Sequence, residues 1–337
     1  FFTQKTAYEI LSGLVGSEMC IRDRLAVLQI NQKTPSASEL LQKVDMEFTP
    51  HNIVFLPDGK HMVVGDCFGG NLILFDKSAA AIGKLKKLGL RKFPGHNVRG
   101  LQVSADGQML IVAHQMLNEL AHTVRNDVHW GLLMSNDLRW LKVESVLQGG
   151  DELYTGAHMH PLGEAGNATG DPSCLAVAKN GTVVVTLGGV GEIAYGKEDD
   201  FSLQRLPVGL RPIDLVIDEV NDLVYVANMF GDSISIVDLE KLSSEEFSLG
   251  KQPELTERDK GELLFFNAKL SHDGWMSCNS CHTEGHTNGM VNDNFSDKSF
   301  GAPKRVFSLL GKAGTAPFAW NGPVSYTHLT LPTKRIV

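Results

Sequence analysis

The chain has 337 residues, enough for two domains. Hydrophobic residues at 42% and charged residues at 21% exclude a disordered chain, and a net charge of −8 excludes a broad nucleic-acid-binding face. No apolar run reaches the roughly 18 residues of a membrane span, and five cysteines are too few for a disulfide-built fold. The 34 glycines, with only 7% aromatics, favour many turns and short strands.

Residues 1–23 and 324–337 resemble translated sequencing-adaptor read-through, and neither stretch continues the pattern beside it. A signal peptide fits residues 1–23 poorly. Glu9 and Glu18 flank a short apolar run, and no small-residue cleavage site follows. If both ends are artefactual, the natural chain is truncated at each, Cys20 leaves the cysteine count, and the acidic balance survives.

Four segments, 52–76, 100–114, 173–193 and 213–239, then share one plan. Each is a short apolar strand, a turn, and a second strand rich in β-branched residues. The turns are Asp58-Gly59, Asp106-Gly107, Asn180-Gly181 and Asn221-Asp222, residue types that tolerate positive φ and signal hairpins. In three of the segments a further glycine turn leads to another strand, the meander of a propeller blade. The starts at 52 and 100, and at 173 and 213, fit a blade period of about 40–50 residues. The wider step from 100 to 173 must hold an insertion or one irregular blade. The fold class expected is mainly β: an incomplete β-propeller over 24–250 with four to five visible blades, then a small α-helical domain over 251–323.

The step region carries His114, His122, His129, His158 and His160. None is paired at a recognisable ligand spacing with Cys or a carboxylate, so they read as strand and loop histidines, with His158 and His160 on one face of a strand. Cys67 and Cys174 could be joined as an interblade disulfide only if their Cα atoms lie close enough, which spacing does not fix. Strand signals stop at Leu239. A polar linker follows, and Thr256-Glu257-Arg258-Asp259 opens a helix with a capping-box pattern, its apolar face assigned to Leu263, Leu264 and Phe266.

Cys278-Asn279-Ser280-Cys281-His282 is a C-x-x-C-H sequence, the attachment signature of c-type haem. Two thiols three residues apart on one turn can each form a thioether with a vinyl group, and the adjoining imidazole of His282 supplies the axial ligand to iron. A zinc knuckle using Cys278, Cys281 and His286 lacks its fourth ligand, because Val291 stands at that position. A thioredoxin-like redox pair would follow a strand in a βαβ pattern, and none is present. One haem c site is expected.

The surroundings resemble the bacterial dihaem cytochrome c peroxidase and MauG group. That family carries G-x-x-L-F-x-(D/N)-x-x-L-S before its first C-x-x-C-H, and residues 261–271 read GELLFFNAKLS. Ala316 to Gly322, APFAWNG, looks like the family's F-W-D-G stretch, which makes Trp320 either an electron relay or a core residue. The fourth repeat, with Tyr225-Val226-Ala227-Asn228, resembles the YVTN-type propeller repeat, and the combination resembles propeller-plus-dihaem-peroxidase proteins. The resemblance implies a periplasmic oxidoreductase that takes electrons from a small redox protein and, at full length, activates peroxide or acts as a MauG-like oxidase.

Departures limit this. Lys298 stands where the family has a distal His; Met290 is the next soft candidate, and His286 is a poor sixth ligand. The family's calcium-binding Asn after an Arg is replaced by Val306 after Arg305, which leaves a calcium site in doubt. Glu284, Asp293 and Asp297 read as solvated loop charges rather than acid–base groups. In the family the second C-x-x-C-H and the active-site Gln and Glu lie beyond the bridging Trp, so this chain is expected to bind haem and pass electrons with little peroxidase activity of its own. The competing expectation is a propeller that binds a protein or small ligand, with the haem segment a stub.

Overall fold

The computed structural model describes residues 8–11, 23–198, 203–252, 254–293 and 299–312. Among the described residues four antiparallel sheets follow one another along the chain as meanders, the second of them two blades wide. The first is β1 (Tyr8–Leu11), β2 (Arg24–Gln29) and β3 (Glu39–Asp45), all antiparallel. Tyr8–Leu11, within the stretch that resembles read-through, pairs along β2 from Gln29 to Ala26.

The next two blades share a strand. β4 (Pro50–Phe55), β5 (His61–Asp66), β6 (Gly69–Asp76) and the first half of β7 (Lys86–Val103) form one blade. The second half of β7 then pairs with β8 (Met109–Leu117), the innermost pair of the blade that follows. The pairing shifts register between His96 and Gly100, where Asn97 takes φ +50°. The step that had to hold an insertion or an irregular blade holds an insertion. Residues 118–133 carry α1 (Arg125–His129), β9 (Met134–Lys142) returns to β8, α2 (Val143–Gln148) intervenes, and β10 (His158–Pro161) closes the blade.

Two regular blades complete the body: β11 (Pro172–Val177), β12 (Thr182–Leu187), β13 (Glu192–Lys197) and β14 (Gln204–Pro207), then β15 (Pro212–Asp218), β16 (Leu223–Asn228), β17 (Ser233–Asp238) and β18 (Ser243–Ser248). β18 lies where the sequence reads as linker. Apart from the exposed Phe247 its residues are polar, and all but one are exposed, so this outer edge strand leaves no period-2 apolar signal.

The hairpin turns work as their residues predict. Asp58, Asp106 and Asn180 each accept the amide two residues on through the side chain, at 2.8–2.9 Å, and the glycine after each holds φ between +69° and +78°. Between successive sheets lie the apolar layers. Leu110 and Val112 face the preceding blade while Ile111 and Ala113 face the next; Val183 and Val185 face back while Val184 faces forward. Middle strands are therefore buried on both faces and read as unbroken apolar runs. The inner strands β4, β7, β11 and β15 lie side by side. At Gly100 a Cβ would stand 2.3 Å from that of Leu175, so the approach of β7 to β11 requires glycine. Cys67 and Cys174 are not joined by a disulfide, and Cys174 Sγ instead lies 3.1 Å from Asp214 Oδ1.

The C-terminal segment holds α3 (Glu257–Phe265), α4 (Cys278–Cys281) and a two-residue ladder of β19 (Val291–Asn292) and β20 (Lys304–Arg305). Thr256 and Asp259 form the capping box: Asp259 N donates to Thr256 Oγ1 at 3.3 Å, and Thr256 N donates to Asp259 Oδ2 at 2.9 Å. The buried face of α3 is Gly261 and Phe265 rather than the Leu263, Leu264 and Phe266 set, and Leu264 is exposed. Among the described residues no helix is long and apolar enough to cross a membrane.

Candidate haem-attachment site

The segment around the C-x-x-C-H sequence is bolted to the β body by backbone. Ala268 N donates to Gly189 O (2.9 Å), Ala168 N to Asp273 O (3.1 Å) and Gly170 N to Gly274 O (2.8 Å). Trp275 is buried against Gly131. Its indole donates to His129 O at 3.1 Å, and its own carbonyl accepts from Asn136 Nδ2 at 3.0 Å.

α4 then sits on a buried polar network. Asp171, at the start of β11, accepts from the hydroxyls of Ser277 and Ser280 (2.5 Å for Ser280) and from Gln115 Nε2 at 3.1 Å. Burial raises its pKa, and those three donors together with Arg99 oppose the rise. Ser280 O accepts from His96 Nε2 at 3.0 Å and Asn97 Nδ2 at 3.2 Å, and Thr283 Oγ1 donates to Asn97 Oδ1 at 2.5 Å. Ser277 also caps the short helix by accepting from Asn279 N. The four residues of α4 thus present both thiols three positions apart on one turn.

Cys278 is exposed and Cys281 is half-buried against Leu117, Leu133, Met134, Met276 and Met290. Burial, with Asp171 and Cys278 nearby, pushes the Cys281 thiol up to about 12. That is the reverse of the depressed thiolate pKa of a catalytic redox pair. His282 places Nδ1 at 2.9 Å from Phe307 O. A carbonyl can only accept, so Nδ1 carries the proton and Nε2 keeps the lone pair. Burial lowers the His282 pKa, which favours the neutral, ligating form. A metal-ligating histidine commonly donates its second ring nitrogen in this way. Two thiols on one turn, an oriented imidazole and an apolar, sulfur-rich lining fit covalent haem attachment.

The remaining sequence candidates fall as follows. Met290 packs in the Cys281 cluster. His286 is held by Ser308 Oγ at 2.6 Å, with its ring edge-on to Phe68, and residues 283–285 form a 3-10 turn, so helical spacing does not govern its direction. One carboxylate departs from the solvated reading: Asp293 is buried and accepts from Gly301 N, whereas Glu284 pairs with Arg99 at 3.1 Å and keeps 40% of its side chain exposed. Asp297, Lys298 and Trp320 lie outside the described residues. His158 and His160 share a face as expected, both against Trp140 at ring separations of 4.9 Å. Asp171, His96 and Asn97 were not legible as site residues, because their partners lie more than 100 positions away.

His96 makes the site acid-sensitive. Full burial lowers its pKa to about 4, against about 6.5 in an unfolded chain, so below pH 6.5 the unfolded state takes up a proton that the folded state refuses. Stability is present above pH 6.5 and is lost as pH falls, by about 2 kcal/mol from this residue between pH 7 and pH 5. His114, lowered to about 3, acts in the same sense, and Asp137, raised to about 6, acts in the opposite one. Urea unfolding of wild type and His96→Gln at the two pH values measures the His96 share, and the variant should lose about 2 kcal/mol less on acidification.

Comparison with known proteins agrees with this geometry. Residues 257–329 match the model of the di-haem cytochrome c peroxidase family. No curated protein matches the chain. Among solved structures, hydrazine synthase of Kuenenia stuttgartiensis aligns with a TM-score of 0.52 at 17% identity, over 65% of this chain and 66% of its own. A periplasmic gluconolactonase of Pseudomonas aeruginosa aligns with a TM-score of 0.53 at 12% identity, over 74% and 70%. A Lactobacillus plantarum protein aligns with a TM-score of 0.51 at 17% identity, over 67% and 65%. The chain thus spans just under two thirds of the first and third of these, and at such identities the likeness is one of fold. The chain thus joins a C-terminal stretch that matches the di-haem cytochrome c peroxidase family model to a β body similar in fold to these structures.

Proposed function

We propose that this chain attaches one c-type haem, which Cys278 and Cys281 would hold through thioethers and His282 would ligate through its imidazole, and passes electrons as part of a periplasmic oxidoreductase of the dihaem peroxidase type. The observation that carries the proposal is the pairing of two thiols on one helical turn with an imidazole whose Nδ1 is held by Phe307 O. When bound, the group supplies reversible one-electron chemistry. The residues of this chain hold and orient it. Asp171 and the two serines fix the turn, Phe307 fixes the imidazole tautomer, and the Met and Leu side chains beside Cys281 exclude water. A small redox protein is the proposed electron partner, and Met290 and Trp320 are the proposed distal ligand and relay.

The second reading, a propeller that binds a small polar ligand, has one observation in its favour. A cavity of about 310 Å³ lies between the inner strands and this segment, lined by Asn97, Arg99, Gln115, Arg211 and Phe266 among others. The two readings separate in one experiment on the exported chain. Haem that survives acid–acetone extraction and denaturing electrophoresis, and that cycles between dithionite-reduced and ferricyanide-oxidised spectra, supports electron transfer. A chain matured without a Soret band sinks it and leaves the cavity as the functional part.

A further inference from the structure

α1 and the turn at His272–Gly274 come from distant parts of the chain and meet beside Trp275. There His129 Nδ1 lies 2.6 Å from Asp273 Oδ2, and His272 Nε2 lies 3.6 Å from the same oxygen. The three ligand atoms are all within 4.8 Å of one another. Adjacent side chains ordinarily diverge, but Asp273 holds φ +61°, a left-handed conformation open to Asp, and its carboxylate turns to the same side as His272.

Two of the three ligands are oriented from behind. Trp275 Nε1 donates to His129 O, Ala168 N donates to Asp273 O, and Gly166 N donates to the Asp273 carboxylate at 3.2 Å. The histidines are about one-third exposed, so an ion can enter from solvent.

We propose that His129, His272 and Asp273 form a zinc site that clamps the haem-bearing segment to the propeller insertion. Two imidazoles and one carboxylate are the donor set of a three-ligand zinc site with water in the fourth position. Zinc–ligand bonds of about 2.0–2.2 Å in tetrahedral array put ligand atoms about 3.3 Å apart. The two separations from Asp273 Oδ2 bracket that value, and the two imidazole nitrogens lie within 4.8 Å of each other. On binding, His129 coordinates through Nδ1 and carries its proton on Nε2, while His272 coordinates through Nε2. One neighbour opposes the ion: Arg125 Nε lies 3.5 Å from His272 Nε2 on an exposed side chain that must swing away. The site is independent of whether haem is attached.

Calorimetric titration of zinc chloride into the chelator-treated full-length chain tests it. Wild type should bind one equivalent at this site and gain thermal stability with zinc. His272→Gln should weaken that equivalent by at least roughly 10-fold, the loss that even an outer-shell change brings, and should abolish the thermal gain. Arg125→Ala, which alters only an exposed side chain, should tighten binding. Equal zinc affinity in wild type and His272→Gln, or no tightening in Arg125→Ala, overturns the proposal.

Discussion

Cys278→Ala combined with Cys281→Ala should leave the exported chain with no haem that survives acid–acetone extraction. Covalent retention requires a thioether, and these two thiols share the one turn that the Ser277 cap and the Asp171 network hold in place. Each single variant should keep one thioether and so retain stainable haem, at lower yield and with a shifted α-band. His282→Ala should behave differently again. Both thioethers form, but the iron loses the imidazole that Phe307 O orients, so the Soret band moves while the haem stays attached. Haem staining on denaturing gels and reduced-minus-oxidised spectra of the four proteins separate the cases. Covalent haem in the double variant would remove the site from this turn altogether.

The second large effect is on stability. Asp171→Ala should cost about 3 kcal/mol, because the Ser277 and Ser280 hydroxyls and the Gln115 amide then point into a buried space with no acceptor. The figure sits below the sum of three lost hydrogen bonds, since the buried carboxylate is itself costly, as its raised pKa records. Asp171→Asn keeps one acceptor and nearly the same volume, and both serine hydroxyls can rotate, so it should cost roughly half as much. Denaturant midpoints give the two values. Hydrogen exchange should locate the loss in residues 277–283, whose contacts with His96 and Asn97 depend on the same anchor. A Asp171→Ala protein within about 0.5 kcal/mol of wild type, with unchanged exchange there, would show that backbone contacts alone hold the segment.

Acid undocking through His96, which touches Ser280, and zinc clamping through His129, which touches Asp273, act on the same junction. Both are consequences of one design. A short, irregular segment with few apolar residues of its own is kept in place by polar contacts to the β body. The four residues of α4 could not stand as an isolated helix, since nucleation of so short a helix is unfavourable in water.

The turns and the Thr256 cap came out as their local residues predict, whereas the apolar face of α3 did not. The hairpins are legible because their information is local: an Asx residue accepts the amide two positions on, and the glycine after it takes positive φ. The C-x-x-C-H turn and the Thr256 cap are equally short-range. The signal failed where burial was absent or inherited. β18 is an exposed edge, and polar residues there serve as well as apolar ones, so periodicity has nothing to record. Asp293 looks like a loop charge until the fold buries it against Gly301. The histidines of the insertion, scanned for ligand spacing, show none, because the partners of His129 are His272 and Asp273 across the fold. Asp171 carries no motif at all, and its weight comes from two serines that reach it only when the segment docks. Strands, turns and the spacing of the two thiols are set by neighbours within a few residues, whereas the anchoring network and the histidine cluster exist only once chain closure has brought remote polar groups together.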